Sequence, residues 1–556
     1  MCSPTPQILF HQALAAQQAG KPEAALYVLE QAINLTPRAA AFHDLRGQLL
    51  SKLGHHTEAI NSAERAVRLD PKSTALRHNL GNALLAAKNF DAAAQCFRRA
   101  RVLDPRDPWV HYNLGLAYAG LHQWQEAANA LRAALALAPN DPSLHLSLGA
   151  ALEAAGSLPE AAEHFVAVLR PQPGNETAIH RLLHALIDLN RTTDAETMLR
   201  SQQPARHDQP AAWNDLANVL ICQGRLEDAA SCIDRALELD PHHAFAHYNR
   251  AMIAFGAGRY GEAWPEWEWR WQRPGKKRPA TGGKLWQGEP LTGKRLLVHE
   301  EEGLGDFLQF CRFVPLMAER CEVFLRVPAA LERVVGTLQG RQTSYAPETT
   351  PEPACDFHLS IMSLPRMLGI ELETLPTAPY LYAEPDRVAA WRERIAPLPG
   401  LRVGLAWAGN PDYSADRHRS LPADIVARLA GIPGVSFVSL QIGGADWTKL
   451  SPTQGEALNL YDPTPDLTDL AETAALIMAL DLVITIDSAL AHLAGALGQK
   501  VWLLNRFNTD WRWLRGREDS PWYPTMRIFT QKQPGDWAAV IDEVREALAK
   551  ETHLTL

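Results

Sequence analysis

The stretch DLVITIDSALAHLAGALGQKVWLL, residues 481–504, decides the class of fold. An apolar run typical of a buried strand ends at Asp487, a segment rich in alanine and glycine begins at Ser488, and a second apolar run follows. Short apolar runs that alternate with helical segments predict parallel strands covered by helices. The stretch therefore predicts an α/β domain in which Asp487 and Ser488 lie where a strand turns into a helix.

The same alternation extends over the second half of the chain. The runs RLLVH, CEVFLRV and CDFHLSI predict the strands of a first unit, over 294–385. The runs LRVGLAWAGN and SFVSLQIG, with the opening stretch, predict a second unit, over 386–556. Two such Rossmann-like units would enclose a cleft at the carboxyl ends of their strands, where ligands bind in open α/β sheets.

The first half of the chain is a repeat array. Prolines stand at positions 37, 71, 105, 139 and 173, a constant spacing of 34 residues, and Pro241 lies two such periods further on. The repeat between them has drifted and uses Pro204. Apolar residues at helical spacing predict two amphipathic helices in each repeat, the second of which ends at its proline.

About eight repeats of this length fit residues 5–271, and a linker rich in proline, glycine and charge follows at 272–293. Trp264, Trp267 and Trp271, at the end of the array, have the spacing of one helix face. We interpret this face as the surface that docks on the next domain; an aromatic platform for a sugar is the alternative.

Composition and charge exclude several classes of function. The 556-residue chain has 54 basic and 63 acidic residues, a net charge of −9, whereas a domain that binds nucleic acid usually has a strongly basic face. The sequence has no apolar run long enough to predict a membrane span and no secretory signal pattern. Its seven cysteines are widely spaced, without a CxxC motif, and indicate neither disulfides nor a zinc site. We expect a cytoplasmic protein.

The loop EEGLGD, residues 301–306, is the first candidate for chemistry. Gly303 and Gly305 allow the backbone to turn tightly and to approach a ligand. The helix that follows presents its N-terminus, which favours an anion. The carboxylate of Asp306 could take the proton of an attacking hydroxyl. The local pattern alone favours the alternative, in which Asp306 only caps the helix.

Two strand ends of the second unit carry further candidates. Asn410, Arg417 and Arg419 could converge on a phosphate, because a guanidinium matches phosphate oxygens; solvated loop charges are the alternative. Gln441, in LQIGG, could contact a base or a ribose.

In the opening stretch, Ser488 and the helix N-terminus could hold a phosphate, which His492 could hydrogen-bond or protonate. A capping Asp–Ser pair with a packed histidine is the alternative there.

Taken together, these motifs resemble a known bacterial family. The stretches EEGLGDFLQF, GLAWAGNPDYSADRHRSL, DLAETAALIMALDLVITIDSALAHLAGALGQKVWLL and DWRWLRGREDSPWYP, with the repeats, resemble glycosyltransferases that carry tetratricopeptide (TPR) repeats and are related to the heptosyltransferases, glycosyltransferase family 9. The resemblance implies an N-terminal all-α TPR solenoid followed by an α/β GT-B fold of two Rossmann-like domains. It also implies a nucleotide-sugar donor as substrate, bound mainly by the C-terminal domain, with no metal ion and no cofactor.

The resemblance also implies roles for individual residues. Asp306 occupies the place of the heptosyltransferase base, and Asp487, Ser488 and His492 occupy the place of the D-[ST]-x3-H motif at the donor phosphates. Glu302 departs from the family, which usually has glutamine there. This extra carboxylate could change donor or acceptor choice, or act as a rival base.

Asn79, Asn113 and Asn249 share one position of the repeat. In the TPR arm of nucleocytoplasmic protein O-glycosyltransferases, asparagines at this position hold the substrate backbone. The resemblance therefore implies a protein acceptor bound along the concave TPR surface. The alternative is that these asparagines pack between helices, and Ser147 interrupts the row.

The resulting prediction is an inverting, metal-independent transfer of a sugar to Ser or Thr hydroxyls of a protein. By resemblance, its most specific form is flagellin as acceptor and a nonulosonic acid from a CMP-linked donor. Two alternatives stay open: a transferase that acts on a lipid or polysaccharide, and a TPR scaffold whose transferase half is inactive.

Overall fold

The computed structural model describes residues 4–377, 379–411, 416–443 and 448–555. The chain divides into two compact units, Met1–Ala195 and Glu196–Leu556. The first unit consists of α-helices, and the second combines α-helices with two β-sheets. The described residues include no helix that is both long and apolar enough to cross a membrane.

The first unit is built from helical hairpins. Its helices are α1 Pro6–Gln18, α2 Pro22–Leu35, α3 Ala40–Lys52, α4 His56–Leu69, α5 Thr74–Ala86, α6 Phe90–Leu103, α7 Pro108–Gly120, α8 Trp124–Leu137, α9 Pro142–Ala154, α10 Leu158–Leu169, α11 Glu176–Asp188 and the start of α12 Thr192–Arg206. Side chains of Asp107 and Asp141 cap α7 and α9, and a proline follows each cap at the first helical position. The helices α4, α6 and α8 each end two residues before one of the prolines spaced 34 residues apart, which confirms the helical repeats.

The repeat that contains Pro204 departs from the prediction. We expected Pro204 to end the second helix of its repeat, but it lies inside α12, which continues to Arg206. A proline in the last turn removes only one intrahelical hydrogen bond, so the helix tolerates it there. The buried Arg206 side chain then donates from Nε to Gln209 Oε1 at 2.8 Å, just beyond the helix end.

The second unit begins with further helical hairpins. Their helices are α13 Pro210–Cys222, α14 Leu226–Leu239, α15 Ala244–Gly256 and α16 Tyr260–Trp267, and a 3₁₀ segment, Glu268–Gln272, follows. Trp264, Trp267 and Trp271 are buried, as the docking interpretation requires. Trp264 donates from Nε1 to the carbonyl oxygen of Ile370 at 2.8 Å, which joins α16 to the α/β part of the unit.

Two parallel sheets form the rest of the second unit. The first sheet has the order β1-β5-β2-β3-β4 and the second the order β11-β10-β9-β6-β7-β8. The strands are β1 Lys284–Leu285, β2 Arg295–His299, β3 Glu322–Arg326, β4 Thr343–Tyr345, β5 Phe357–Ser360, β6 Leu401–Ala406, β7 Val435–Ser439, β8 Leu460–Tyr461, β9 Leu482–Ile486, β10 Val501–Asn505 and β11 Met526–Thr530. Every named pair is parallel, as the alternation predicted.

Helices connect and cover these strands. They are α17 Leu304–Phe310, α18 Val314–Ala318, α19 Glu332–Val335, α20 Leu364–Leu368, α21 Pro385–Ile395, α22 Ala423–Val426, α23 Pro452–Ala457, α24 Leu470–Ala479, α25 Ala489–Ala496 and α26 Trp537–Thr555. All five residues of β9 are buried, because β9 lies inside the sheet and its side chains pack into hydrophobic cores on both faces. The chain therefore combines an N-terminal TPR array with a parallel α/β part.

Candidate functional site

Asp487 and Ser488 form the turn between β9 and α25. Ser488 is the N-cap residue of α25, but its side chain makes no capping hydrogen bond and its Oγ lies 3.5 Å from Thr485 Oγ1. The half-buried Asp487 carboxylate makes no hydrogen bond within the described residues. A simple Asp–Ser cap is therefore not what the sequence forms here, and the first turn of α25 keeps amide groups that no side chain of the turn satisfies.

His492 lies one turn into α25 and is only 4% exposed. Its ring is stacked on Trp513, with 5.2 Å between centroids, and its Nδ1 lies 2.9 Å from the Tyr523 hydroxyl. Burial, reinforced by the charge of Arg512, lowers the pKa of His492 to about 3. The imidazole is therefore neutral near pH 7. It can donate a hydrogen bond from Nε2, but proton donation, one of its two expected roles, is disfavoured.

Asp306 lies in the first turn of α17, next to this helix. Its Oδ2 accepts a hydrogen bond from the amide of Gly303 at 3.0 Å, so Asp306 does cap α17. Its side chain is 24% exposed and remains accessible. Burial raises the pKa of Asp306, although the positive charge of Arg512 opposes the rise. A capping role and a role as base are compatible, because each carboxylate oxygen has two lone pairs.

Gly305 brings the starts of α17 and α25 into contact. A Cβ atom at Gly305 would lie 3.0 Å from His492 Cδ2 and 3.4 Å from the Cα of Ala489. Only glycine allows the two helix ends to approach this closely without displacement. The structure thereby brings Asp306 together with the turn that carries Asp487, Ser488 and His492.

The segment after β10 supplies residues that the sequence analysis did not single out. Arg512 donates from Nε to Gln309 Oε1 at 2.7 Å and from Nη1 to Asp510 Oδ1 at 2.9 Å. Arg506 has a buried Nε without a hydrogen-bond partner in the described part of the chain. Burial and the charge of Asp510 raise the pKa of Asp487, while Arg506 and Arg512 oppose the rise.

The signal for these residues was present in the sequence. Arg506 and Asp510 follow the predicted strand KVWLLN, and strand ends were where we sought ligands. The stretch DWRW, which contains Arg512, entered only as part of the family resemblance.

The three candidates near β6 differ in their positions. Arg419 donates from Nη1 to the carbonyl oxygen of Asp487 at 2.8 Å and from Nε to Asp416 Oδ1 at 2.8 Å, so it joins the site. Asn410 and Arg417 are exposed on either side of 412–415, which lie outside the described residues. Their convergence on a phosphate stays a prediction.

Gln441 uses its side-chain oxygen to shape the loop after β6. Oε1 accepts from the amides of Trp407 at 3.0 Å and Ala408 at 2.8 Å. A cleft of about 840 Å³ opens beside it, lined also by Lys449 and Tyr461. The residue Gly444 of the LQIGG stretch lies outside the described residues.

Glu302 is paired with the linker. Its Oε1 lies 2.7 Å from Lys276 Nζ, and the two side chains are about one-third exposed. The neighbouring Glu301 is only 3% exposed and binds the buried Arg270, with 2.5 Å from Nε to Oε1. The ion pair with Lys276 therefore ties Glu302 to the linker, and its role as a rival base stays a prediction.

The three asparagines of the repeats use their amide nitrogens within the array. Asn79 Nδ2 lies 3.0 Å from both Asp44 oxygens, Asn113 Nδ2 lies 3.0 Å from Asn82 Oδ1, and Asn249 Nδ2 lies 2.9 Å from Asn214 Oδ1. These bonds join successive repeats, as the packing alternative describes. Binding of an acceptor backbone would have to use the Oδ1 atoms.

Family comparisons agree with this architecture. Tetratricopeptide repeat models match residues 45–108, 112–176 and 214–279, and a second such model matches 152–220. The model of glycosyltransferase family 9 (heptosyltransferase) matches residues 466–504, a stretch that begins four residues before α24 and ends in β10. The chain carries TPR repeats, and residues 466–504 are similar to a segment of glycosyltransferase family 9.

A relative aligns with the chain over a longer range. The chain is 28% identical to Protein FlbA of Caulobacter vibrioides over 440 residues, which cover 68% of the chain and 73% of the relative. Together these matches support a glycosyltransferase with TPR repeats.

Solved structures also align with parts of the chain. MamA from Desulfovibrio magneticus RS-1 is 23% identical, covers 32% of the chain and 99% of its own length, and gives a TM-score of 0.30. The pilF protein of Pseudomonas aeruginosa is 19% identical, covers 36% of the chain and 91% of its own length, and gives a TM-score of 0.32. The C-terminal part of a TPR protein of Cytophaga hutchinsonii is 15% identical, covers 43% of the chain and 98% of its own length, and gives a TM-score of 0.38.

Proposed function

We propose that the chain is a glycosyltransferase of the GT-B fold that transfers a sugar from a nucleotide sugar to Ser or Thr hydroxyls of a protein. The contact between the starts of α17 and α25 carries this proposal. It brings a carboxylate with a raised pKa, Asp306, close to a turn suited to a phosphate group. The two parts are what a transfer reaction needs: a base for the acceptor and a cationic or dipolar site for the leaving group.

The donor phosphate would bind at the N-terminus of α25. Ser488 and the first amides of the helix offer hydrogen bonds, and Arg506 and Arg419 offer positive charge. His492 would donate a hydrogen bond as a neutral imidazole. The cleft beside Gln441 has space for the nucleoside.

The chemical step would be a displacement at the anomeric carbon. Asp306 takes the proton of the acceptor hydroxyl while the oxygen of that hydroxyl forms a bond to the anomeric carbon. The bond from the carbon to the phosphate oxygen breaks, and its electron pair leaves with the nucleotide. Attack from the face opposite to the leaving group inverts the configuration. Because burial raises the pKa of Asp306, its carboxylate is a stronger base than an exposed aspartate.

The substrates follow from the family resemblance. Flagellin is the acceptor that we propose, a nonulosonic acid from a CMP-linked donor is the sugar, and the cytoplasm is the compartment. The TPR repeats would hold the acceptor, with Asn79, Asn113 and Asn249 offering Oδ1 to its backbone amides. No metal ion takes part in this proposal, and full activity in the presence of EDTA is its direct consequence.

Intact-mass measurement of the acceptor tests the proposal. The full chain is incubated with flagellin of the same bacterium and a panel of nucleotide sugars that includes CMP-linked nonulosonic acids. We expect added mass equal to whole sugar units with at least one donor, and none without the enzyme. Folded enzyme that adds no mass with any donor would support an inactive scaffold. Transfer to lipopolysaccharide, but not to flagellin, would support the second enzyme reading.

A further inference from the structure

A second cleft, of about 730 Å³, lies in the second unit and shares no lining residue with the site at Asp306. It is lined by residues of the 3₁₀ segment Glu268–Gln272, of the linker, which contains β1, and of α20. Trp269, Leu285, Trp286 and Met367 provide apolar surface, and Arg278 and Arg366 provide charge. Nothing in the proposed transfer step uses these residues.

The cleft has an excess of positive charge. The guanidinium groups of Arg278 and Arg366 make no hydrogen bond or ion pair within the described residues; Arg278 only covers the Trp271 ring, at 4.8 Å from its centroid. The nearby carboxylates of Glu268 and Glu301 are both bound to the buried Arg270. Three guanidiniums therefore face two carboxylates, which leaves positive charge for an anion.

The cleft also contains an open sheet edge. β1 is the edge strand of the first sheet, and within the described part of the chain it pairs only with β5. The amides of Lys284 and Trp286 donate to carbonyl oxygens of Asp356 and His358, both at 3.0 Å. Because bonding alternates along a parallel ladder, the N–H and C=O of Leu285 point away from β5, towards the open edge. An extended polypeptide could pair with that edge.

We propose that this cleft binds an extended acidic segment of the protein acceptor. The segment pairs with the Leu285 backbone at the edge of β1, and one of its carboxylates lies between Arg278 and Arg366. A polypeptide fits better than a free sugar acid, because the edge offers backbone hydrogen bonds as well as charge. The inference rests on the proposed protein acceptor, and it assigns the acceptor a second contact in addition to the reacting hydroxyl.

Peptide binding to the full chain tests the charge. The probe is a fluorescein-labelled, capped peptide of about eight residues in which glutamate and threonine alternate. We expect the double variant Arg278→Gln/Arg366→Gln to weaken binding at least about tenfold. The double variant Lys277→Gln/Arg320→Gln is the matched control, since it removes the same charge from exposed residues outside the cleft. If the two double variants weakened peptide binding equally, the inference would be overturned. The same conclusion would follow if the wild-type chain bound a glutamine–threonine peptide as tightly as the glutamate–threonine peptide.

A second pair of variants tests the sheet edge. Leu285→Pro removes the outward N–H and leaves the two amides that bond to β5, and Leu285→Ala removes the same side chain but keeps the N–H. We expect the proline variant to bind the peptide several-fold more weakly than the alanine variant. Equal affinities, with both variants folded by circular dichroism, would exclude pairing at β1. Displacement of the probe by free glutamate at equal concentration would indicate only an anion site and contradict a polypeptide ligand.

These measurements require neither donor nor transfer. If no sugar is transferred but peptide binding depends on the two arginines and on the Leu285 N–H as expected, the transfer proposal fails and the assignment of the cleft to an acidic polypeptide stands. If transfer to a protein occurs and its KM for the acceptor is unchanged in the Arg278→Gln/Arg366→Gln variant, the inference fails and the transfer proposal stands.

Discussion

The guanidinium of Arg512 forms an ion pair with the carboxylate of Asp306, with 2.5 Å between Nη2 and Oδ1. The same arginine binds Asp510, so it joins the loop after β10 to the start of α17. This pair orients the proposed base, and it opposes the rise that burial causes in the pKa of Asp306. Arg512 is therefore a positioning residue whose removal should change both the rate and its pH dependence.

The variant Arg512→Gln should lower kcat/KM for transfer about a hundredfold and move the acid limb of its pH profile to higher pH. Loss of the positive charge raises the pKa of Asp306 further, and only the ionised form of this carboxylate accepts a proton. The measurement is kcat/KM from about pH 4 to pH 8. Arg527→Gln, on the exposed side of β11, is the control. An unmoved acid limb would exclude electrostatic coupling between Arg512 and the base.

His492 should make the protein less stable as the pH falls below about 6.5, the usual pKa of an exposed histidine. Its folded pKa of about 3 means that the unfolded chain binds a proton that the folded chain does not bind. Stability from this group is complete above pH 6.5 and is lost by about 1.4 kcal/mol per pH unit below it.

Between pH 7 and pH 5, the free energy of unfolding of the neutral variant His492→Gln should therefore fall by about 2 kcal/mol less than that of the wild type. Urea unfolding followed by tryptophan fluorescence measures the difference. Equal losses in the two proteins would mean that His492 titrates normally in the folded state, and would restore its role as a proton donor.

Gly305 and Gly303 form a matched pair for testing the contact between α17 and α25. Gly305→Ala should lower transfer about tenfold, because its Cβ would press on His492 Cδ2 at 3.0 Å and displace one helix end. Gly303→Ala should stay within about threefold of the wild type, since its Cβ would meet only Asp306 Oδ2 at an ordinary 3.6 Å. Steady-state rates with one donor measure both. If the two variants lost activity equally, close helix approach would not be what the site requires.

Arg506 should contribute to donor binding through its positive charge. The variant Arg506→Gln should weaken the affinity for the nucleotide product about tenfold. The guanidinium of Arg506 acts on Asp487, and its buried Nε has no hydrogen-bond partner among the residues that the structure describes. Isothermal titration of the full chain with CMP and CDP gives the affinities. Lys449 lines the nucleoside cleft, so the variant Lys449→Gln removes a positive charge near the nucleobase. Comparing the two variants separates the effect of charge at the phosphate from that of charge at the nucleobase. An unchanged affinity in Arg506→Gln would remove Arg506 from the phosphate site.

The sequence predicted the sheets well wherever strands are buried and several residues long. RLLVH corresponds to β2 and the opening stretch contains β9, because continuous apolar runs record burial on both faces. The strands β1 and β8 have two residues each, too few for any periodic signal, and their positions depend on pairing with distant strands.

Charge partners explain what the sequence could not predict about the site. Asp306 was identified by its loop, but its pairing with Arg512 spans 206 positions in sequence and arises only from folding. His492 was identified by its motif, whereas its depressed pKa depends on burial beneath Trp513 and Tyr523. The pairing of Glu302 with Lys276 joins residues 26 positions apart and likewise arises only from folding.

The transfer rate of the Asp306→Asn variant, at a saturating donor concentration and read as intact mass of the acceptor, tests the central claim most directly. Asparagine keeps the size of the side chain and removes the base. We predict that transfer falls by about a hundredfold or more while the nucleotide affinity stays within about threefold of the wild type. Transfer at the wild-type rate would contradict the account, because Asp306 would then not be the base and its contact with the α25 turn would not define the active site.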